Sequence, residues 1–224
     1  VTDLLPRPRL VLFDWDNTLV TPWPALTRAV NAALAAAGRS PVAPDVVAAA
    51  MGQGGDDPLA GLAPEAALLA RHAFTRAFAE EPAPRLEAVA GALEVLSLLA
   101  ASGIPAAILC NRRVAEVAAE AEMLGLAPFL AAVVGIDSGV RIKPSAEGVA
   151  LAIERLGLVG VIEDSGEIWL VGDTDIDLVC AHAAGATPIL LREGALPAAV
   201  LEKWPPAIQL SQCEQIIALL AAIL

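Results

Sequence analysis

Residues 10–18 read LVLFDWDNT. Four consecutive apolar residues without alternation, stopped by an aspartate, describe a strand buried on both faces whose carboxyl end carries a polar group. Four similar runs follow, at 104–109 (IPAAIL), 131–134 (AAVV), 168–171 (IWLV) and 187–191 (TPILL). Helical patterns separate them at 91–102, 114–124, 146–156 and 175–184. Gly103, Gly125, Gly157 and Gly185 each stand just past the last periodic residue, the usual helix stop. Strands alternating with helices require right-handed crossovers, so the expected fold class is α/β, a doubly wound parallel sheet with helices on both faces.

Between the first strand and the 91–102 helix, about seventy residues hold no strand-like run. They read as helices near 25–37, 45–51 and 64–79, separated by Pro and Gly. A chain of 224 residues is also longer than one domain of roughly 150 needs. The expected organisation is therefore a core built from 1–20 and 89–224, with a helical subdomain, 21–88, inserted after the first strand.

Composition narrows the function. With 57% hydrophobic and 18% charged residues the chain can bury a full core, which excludes intrinsic disorder. Fourteen basic against 26 acidic side chains give −12, so there is no basic stripe for nucleic acid, and anionic membranes are disfavoured. The apolar runs are too short to span a bilayer, and 1–10 lack the apolar segment of a signal peptide. Three cysteines without CxxC spacing argue against a disulfide framework and fit a reducing compartment; a soluble, cytoplasmic protein is expected.

Of 11 aspartates, five lie in two short clusters, Asp14-Trp15-Asp16 and Asp173-Thr174-Asp175-Ile176-Asp177. Both follow an expected parallel strand, at the sheet edge where ligands bind in open α/β folds. Carboxylates gathered there repel one another unless a cation offsets them, and hard oxygen donors select Mg2+. A calcium loop starting at Asp173 is excluded, because its sixth and twelfth positions are Leu178 and Ala184 instead of Gly and Glu. Thr174 and Asp175 also suit helix capping, the preferred reading for Asp175. Lysine is rare: Lys143 and Lys203 stand against twelve arginines, so Lys143, a compact ammonium, reads either as retained for chemistry or as a solvated loop lysine before Pro144.

The segments LVLFDWDNTLV, IPAAILCN, VVGIDSGVRIKPSAEGVALAIERLG and WLVGDTDIDLVCAHAAGA, in this order, resemble the four motifs of the haloacid dehalogenase superfamily. The chain is most similar to the phosphoglycolate-phosphatase-like branch. The resemblance implies a Rossmann-like core with a helical cap, and a magnesium-dependent phosphatase acting on a small phosphorylated metabolite through an aspartyl-phosphate. Asp14 is then the nucleophile, Asp16 the general acid and base, and Lys143 the ammonium between nucleophile and phosphoryl group. Asp14, the Asp16 backbone carbonyl, Asp173 and Asp177 are the expected metal set. Thr18, Cys110, Asn111 and the cap turn Gly52-Gln53-Gly54 are expected at the substrate.

Cys110 departs from the family, which usually places a hydroxyl there; a thiol is a weaker donor. Backbone amides at Cys110 and Asn111 could still hold the phosphate. A phosphomutase, or a catalytically weakened phosphate- or partner-binding module, stays open as an alternative. Arg112 and Arg113 read either as contacts for an anionic substrate tail or as a solvated helix start. The chain is expected to be a monomer or homodimer.

Overall fold

The computed structural model describes residues 5–21, 23–44, 46–47, 50, 58–80 and 86–223. Six parallel strands form one sheet in the order β5-β4-β1-β6-β7-β8. They are β1 (Leu10–Phe13), β4 (Ala106–Leu109), β5 (Leu130–Val134), β6 (Ile168–Gly172), β7 (Thr187–Leu191) and β8 (Ile208–Leu210). β1 lies at the centre, with Val11 opposite Ala106 of β4 and Trp169 of β6. The chain winds outward from β1 to β4 and β5 on one side, then returns to β6 and winds outward on the other. The gap between those two directions is a topological switch point, where strand carboxyl ends diverge and leave room for a ligand.

Both faces of the sheet are covered, as a parallel sheet requires. Leu10, Leu12, Ala107, Leu109, Ile168 and Leu170 pack against Val149, Ala152, Cys180 and Ala181. Those partners come from α5 (Glu147–Arg155) and α6 (Asp175–Ala184). The intervening strand residues Val11, Phe13, Ile108, Trp169 and Val171 are fully buried and point to the opposite face. On that side α3 (Ala92–Ala101) packs against α8 (Glu214–Ala221) and against β4. Helix α4 (Val114–Met123) joins β4 to β5, and α7 (Ala198–Lys203) joins β7 to β8.

The chain forms two compact units, 1–20 with 88–224, and 21–87. The second is helical: α1 (Trp23–Ala36) packs along α2 (Pro64–Glu80). Val30, Leu34 and Val47 form its core, with Leu26, Val42, Leu59 and Phe74 against them. Of the helix expected over 45–51, residues 46, 47 and 50 are helical and the others lie outside the described residues. A two-residue ribbon, β2 (Val20–Thr21) with β3 (Glu87–Ala88), carries both passages of the chain between the units. No helix among the described residues is long and apolar enough to cross a membrane.

Candidate active site

Asp14 is the first residue beyond β1, and its backbone N–H donates to Val171 O of β6, which fixes it at the strand ends. The loop after it is tight. Trp15 O accepts from the N–H groups of Leu19 and Val20, and Asn17 N–H donates to Val20 O. Asn17 takes φ 61°, a left-handed conformation that asparagine tolerates better than most residues. Asp173 is the first residue beyond β6. Arg192, beyond β7, donates from Nη1 to the Asp173 carbonyl at 3.0 Å and so holds the second acidic turn in place.

The two acidic clusters meet. One carboxylate oxygen from each of Asp14, Asp173 and Asp177 lies within 4.8 Å of the others. Lys143, almost wholly buried, places Nζ 2.6 Å from Asp14 Oδ1 and 2.6 Å from Asp177 Oδ1. Asp177 Oδ2 accepts from Thr174 N–H at 3.0 Å and from Thr174 Oγ1 at 2.7 Å. Thr174, not Asp175, is therefore the N-cap of α6, in a capping box with Asp177. Asp175 is exposed in the first turn. Asn111 Nδ2 donates to Lys143 O at 3.1 Å, so this side chain anchors the lysine loop.

The charge balance is uneven. One ammonium faces three carboxylates, and burial alone costs each of them solvation. Burial, with Asp177 close by, pushes Asp14 up to about 6 against the pull of Lys143. The same causes push Asp173 up to about 7. Lys143 moves the other way: Asp177 and Asp14 overcome the cost of burial and hold its ammonium charged well beyond the usual range. An all-oxygen, net negative cluster of this size fits a hard divalent cation, which supplies the missing charge.

The remaining expected residues fall into place less uniformly. The Asp16 carboxylate stands outside the trio and accepts from Arg112 Nη1 at 3.2 Å. Thr18 is fully buried, and its hydroxyl has no hydrogen-bond partner among the described residues. The Cys110 thiol is buried and lies 3.8 Å from Val134 O and 3.9 Å from Arg112 O. Burial pushes that thiol up to about 11, which keeps it protonated. The Cys110 N–H donates to Val134 O, so it is not free for a phosphate as the sequence allowed; the Asn111 N–H has no acceptor among the described residues. Gly52, Gln53 and Gly54 lie outside the described residues.

Arg112 is part-buried, with its guanidinium among carboxylates. It pairs with Glu120 (Nη2 to Oε1, 2.7 Å), Asp16 and Glu116, and is committed to carboxylates of the protein itself. Arg192, Glu120 and Gly172 were missed from sequence. Only Glu120 carried a signal, its i,i+4 spacing from Glu116 on the face that follows Arg112.

A switch-point cluster of three aspartates and a buried lysine, on a sheet of this order, defines a class of α/β hydrolase. The sequence pattern of haloacid dehalogenase-like hydrolases matches residues 8–185, and the chain belongs to that family. A phosphoglycolate phosphatase of Rhodospirillum rubrum is 32% identical over 199 residues, covering 84% of this chain and 80% of its own. That of Pectobacterium atrosepticum is 28% identical over 224 residues, covering 96% and 91%. A crystal structure of a hydrolase of this family from Deinococcus radiodurans, with bound phosphate and sodium, aligns with TM-score 0.65 at 24% identity, over 96% of each chain.

Proposed function

We propose that the protein is a phosphomonoesterase that works through an aspartyl-phosphate on Asp14. The observation that carries this reading is the buried Lys143 ammonium, 2.6 Å from the Asp14 carboxylate at the switch point. The ion pair opposes the protonation that burial favours and aims the carboxylate, which a nucleophile needs. In the first half-reaction Asp14 Oδ forms a bond to phosphorus, the ester P–O bond breaks, and Asp16 gives its proton to the departing alkoxide. In the second, water attacks the phosphorus, Asp16 takes the water's proton, and the Asp14–phosphorus bond breaks to release inorganic phosphate. Lys143 holds charge against the phosphoryl oxygens in both.

Asp14, Asp173 and Asp177 would hold a divalent cation, with the Asp16 carbonyl as the further expected ligand and Mg2+ the expected ion. When bound it neutralises the carboxylates and lets a chain of −12 accept a phosphate dianion. The helical unit 21–87 serves as the cap, and a cap on two linkers favours small esters over proteins. Gly52, Gln53 and Gly54 are the residues of this segment proposed to bind the substrate. Phosphoglycolate is the first ester to test, given the relatives. Three free, buried cysteines suit a reducing compartment, so the cytoplasm is the proposed location.

Cys110 favours a second reading, a catalytically weakened member of the family, because its thiol faces backbone carbonyls and its N–H is already bonded. One experiment separates the two. Phosphoglycolate hydrolysis by the wild type in Mg2+, abolished by Asp14→Asn and by chelation, supports the enzyme. Full activity after either change refutes the mechanism, and an inactive wild type favours the weakened module.

A further inference from the structure

Arg112 is held from both ends. Its carbonyl accepts from Ile136 N–H at 2.9 Å, in the loop beyond β5. Gly135 makes that approach possible, since a Cβ there would overlap the Arg112 carbonyl oxygen and stand 3.1 Å from Val114 N. At the other end the guanidinium forms a fork on Glu120, with Nη2 to Oε1 at 2.7 Å and Nη1 to Oε2 at 3.0 Å. Glu120 Oε2 also accepts from the Trp15 indole Nε1 at 2.7 Å. Trp15 is fully buried and lies between Asp14 and Asp16 in sequence. The guanidinium then reaches Asp16 Oδ1 at 3.2 Å, while Glu116 Oε2 stands 3.6 Å away.

The loop that carries both aspartates is thus braced to the turn after β4 by a closed circuit: Trp15 to Glu120, Glu120 to Arg112, Arg112 to Asp16. The planar fork of arginine suits this work, because it can satisfy two carboxylates in fixed directions. The Asp16 side chain is 42% exposed, and Arg112 is the only partner its carboxylate has among the described residues. Asp16 Oδ2 has no hydrogen-bond partner among those residues and is left for a reacting group. Glu120 and Glu116 offset the guanidinium charge, so the circuit orients Asp16 without presenting a net positive centre to it.

We infer that Arg112 is a positioning residue: anchored by Glu120, it aims the Asp16 carboxyl at the leaving oxygen of the substrate. This rests on the phosphomonoesterase reading above. The proton that leaves Asp16 goes to the ester oxygen as its bond to phosphorus breaks and the Asp14 bond forms, so misdirecting Asp16 harms only esters whose leaving group needs that proton.

The test compares phenyl phosphate, a poor leaving group, with 2,4-dinitrophenyl phosphate, a good one, both without a second anion. The quantity read is kcat/KM, which reports the step in which the ester oxygen departs. Arg112→Ala should lower kcat/KM on phenyl phosphate by about 10²-fold, the lower range of general acid catalysis. On dinitrophenyl phosphate the loss should stay within about threefold, since the leaving phenolate needs no proton. Arg112→Lys should restore part of the loss, having charge but no fork. Glu120→Gln, which leaves Asp16 and Arg112 in place, should show the same pattern at smaller size and covers the case in which Arg112→Ala fails to fold.

Equal losses on both esters overturn the inference in favour of a general structural role. Losses confined to phosphoglycolate, with both aryl esters unaffected, overturn it in favour of a contact with the substrate's carboxylate. A wild type that hydrolyses none of the three esters overturns the phosphomonoesterase reading, and the inference with it.

Discussion

Gly172 and Asp177 are in closer contact than any other residue type at 172 would permit. A Cβ on Gly172 would overlap the Asp177 carboxyl group and stand 2.5 Å from its Oδ2. Gly172 closes β6 and Asp177 is in the first turn of α6, so the absent side chain lets the helix start fold back over the strand end. That return brings Asp177 to Lys143 and, through it, to Asp14.

Gly172→Ala should therefore act on the site although residue 172 carries no reactive group. The methyl must push Asp177 off Thr174 or off Lys143. Displacing a catalytic constellation by about 1 Å costs on the order of 10²-fold in rate, so phosphoglycolate kcat/KM should fall by about that factor. Asp177→Asn, which keeps the shape and loses the charge, provides the comparison. Wild-type turnover in Gly172→Ala, with an unchanged melting temperature, would show that the approach of Asp177 is not required.

Cys110 calls for a gain-of-function test. Its thiol is directed at Val134 O and Arg112 O, and its own N–H is used by the sheet, whereas the Asn111 N–H has no acceptor among the described residues. A serine hydroxyl is smaller and a stronger donor than a thiol. Cys110→Ser should raise kcat by up to about tenfold, less than the 10²–10³ attributed to a complete oxyanion-hole donor. KM should change little. Unchanged or reduced turnover in a folded Cys110→Ser protein would mean that the Asn111 amide and Lys143 already meet the need.

The five strands read as apolar runs all appear in the sheet, because strands buried on both faces leave an unbroken hydrophobic signature. β8 was not legible: IQL is three residues at a sheet edge, flanked by Pro205, Pro206 and Ser211, and its hydrophobicity is too brief to stand out. Helices α7 and α8 were missed for a related reason, being six and eight residues long. Asp14, Asp173, Asp177 and Lys143 could be singled out because clustered carboxylates and a rare lysine are unusual in any sequence. The circuit around Arg112 could not, since it depends on which way the side chains of Trp15, Arg112, Glu120 and Asp16 turn. The partner of Asn111 is not legible either, because a hydrogen bond to the Lys143 carbonyl leaves no compositional trace.

Metal dependence should be visible in stability as well as in rate. Burial raises Asp173 from 3.8 to about 7 and Asp14 to about 6, so without metal the folded state holds these protons more tightly than the unfolded chain does. Their contribution to stability is complete below about pH 4 and is lost as pH rises through 6 and 7. Lys143, whose proton is held more tightly still, remains charged across that window and does not change the direction. In chelator, Asp173→Asn should melt above the wild type by a margin that widens between pH 5 and pH 8, because the amide never has to ionise. Mg2+ binds the ionised carboxylates of the native state, so it should raise the wild-type melting temperature far more at pH 8 than at pH 5, and that of Asp173→Asn little at either. Thermal melts of the two proteins with and without Mg2+ check all of this. A margin that narrows with rising pH would show that Asp173 is not held protonated by its burial, and would remove the charge imbalance on which the cation site was argued.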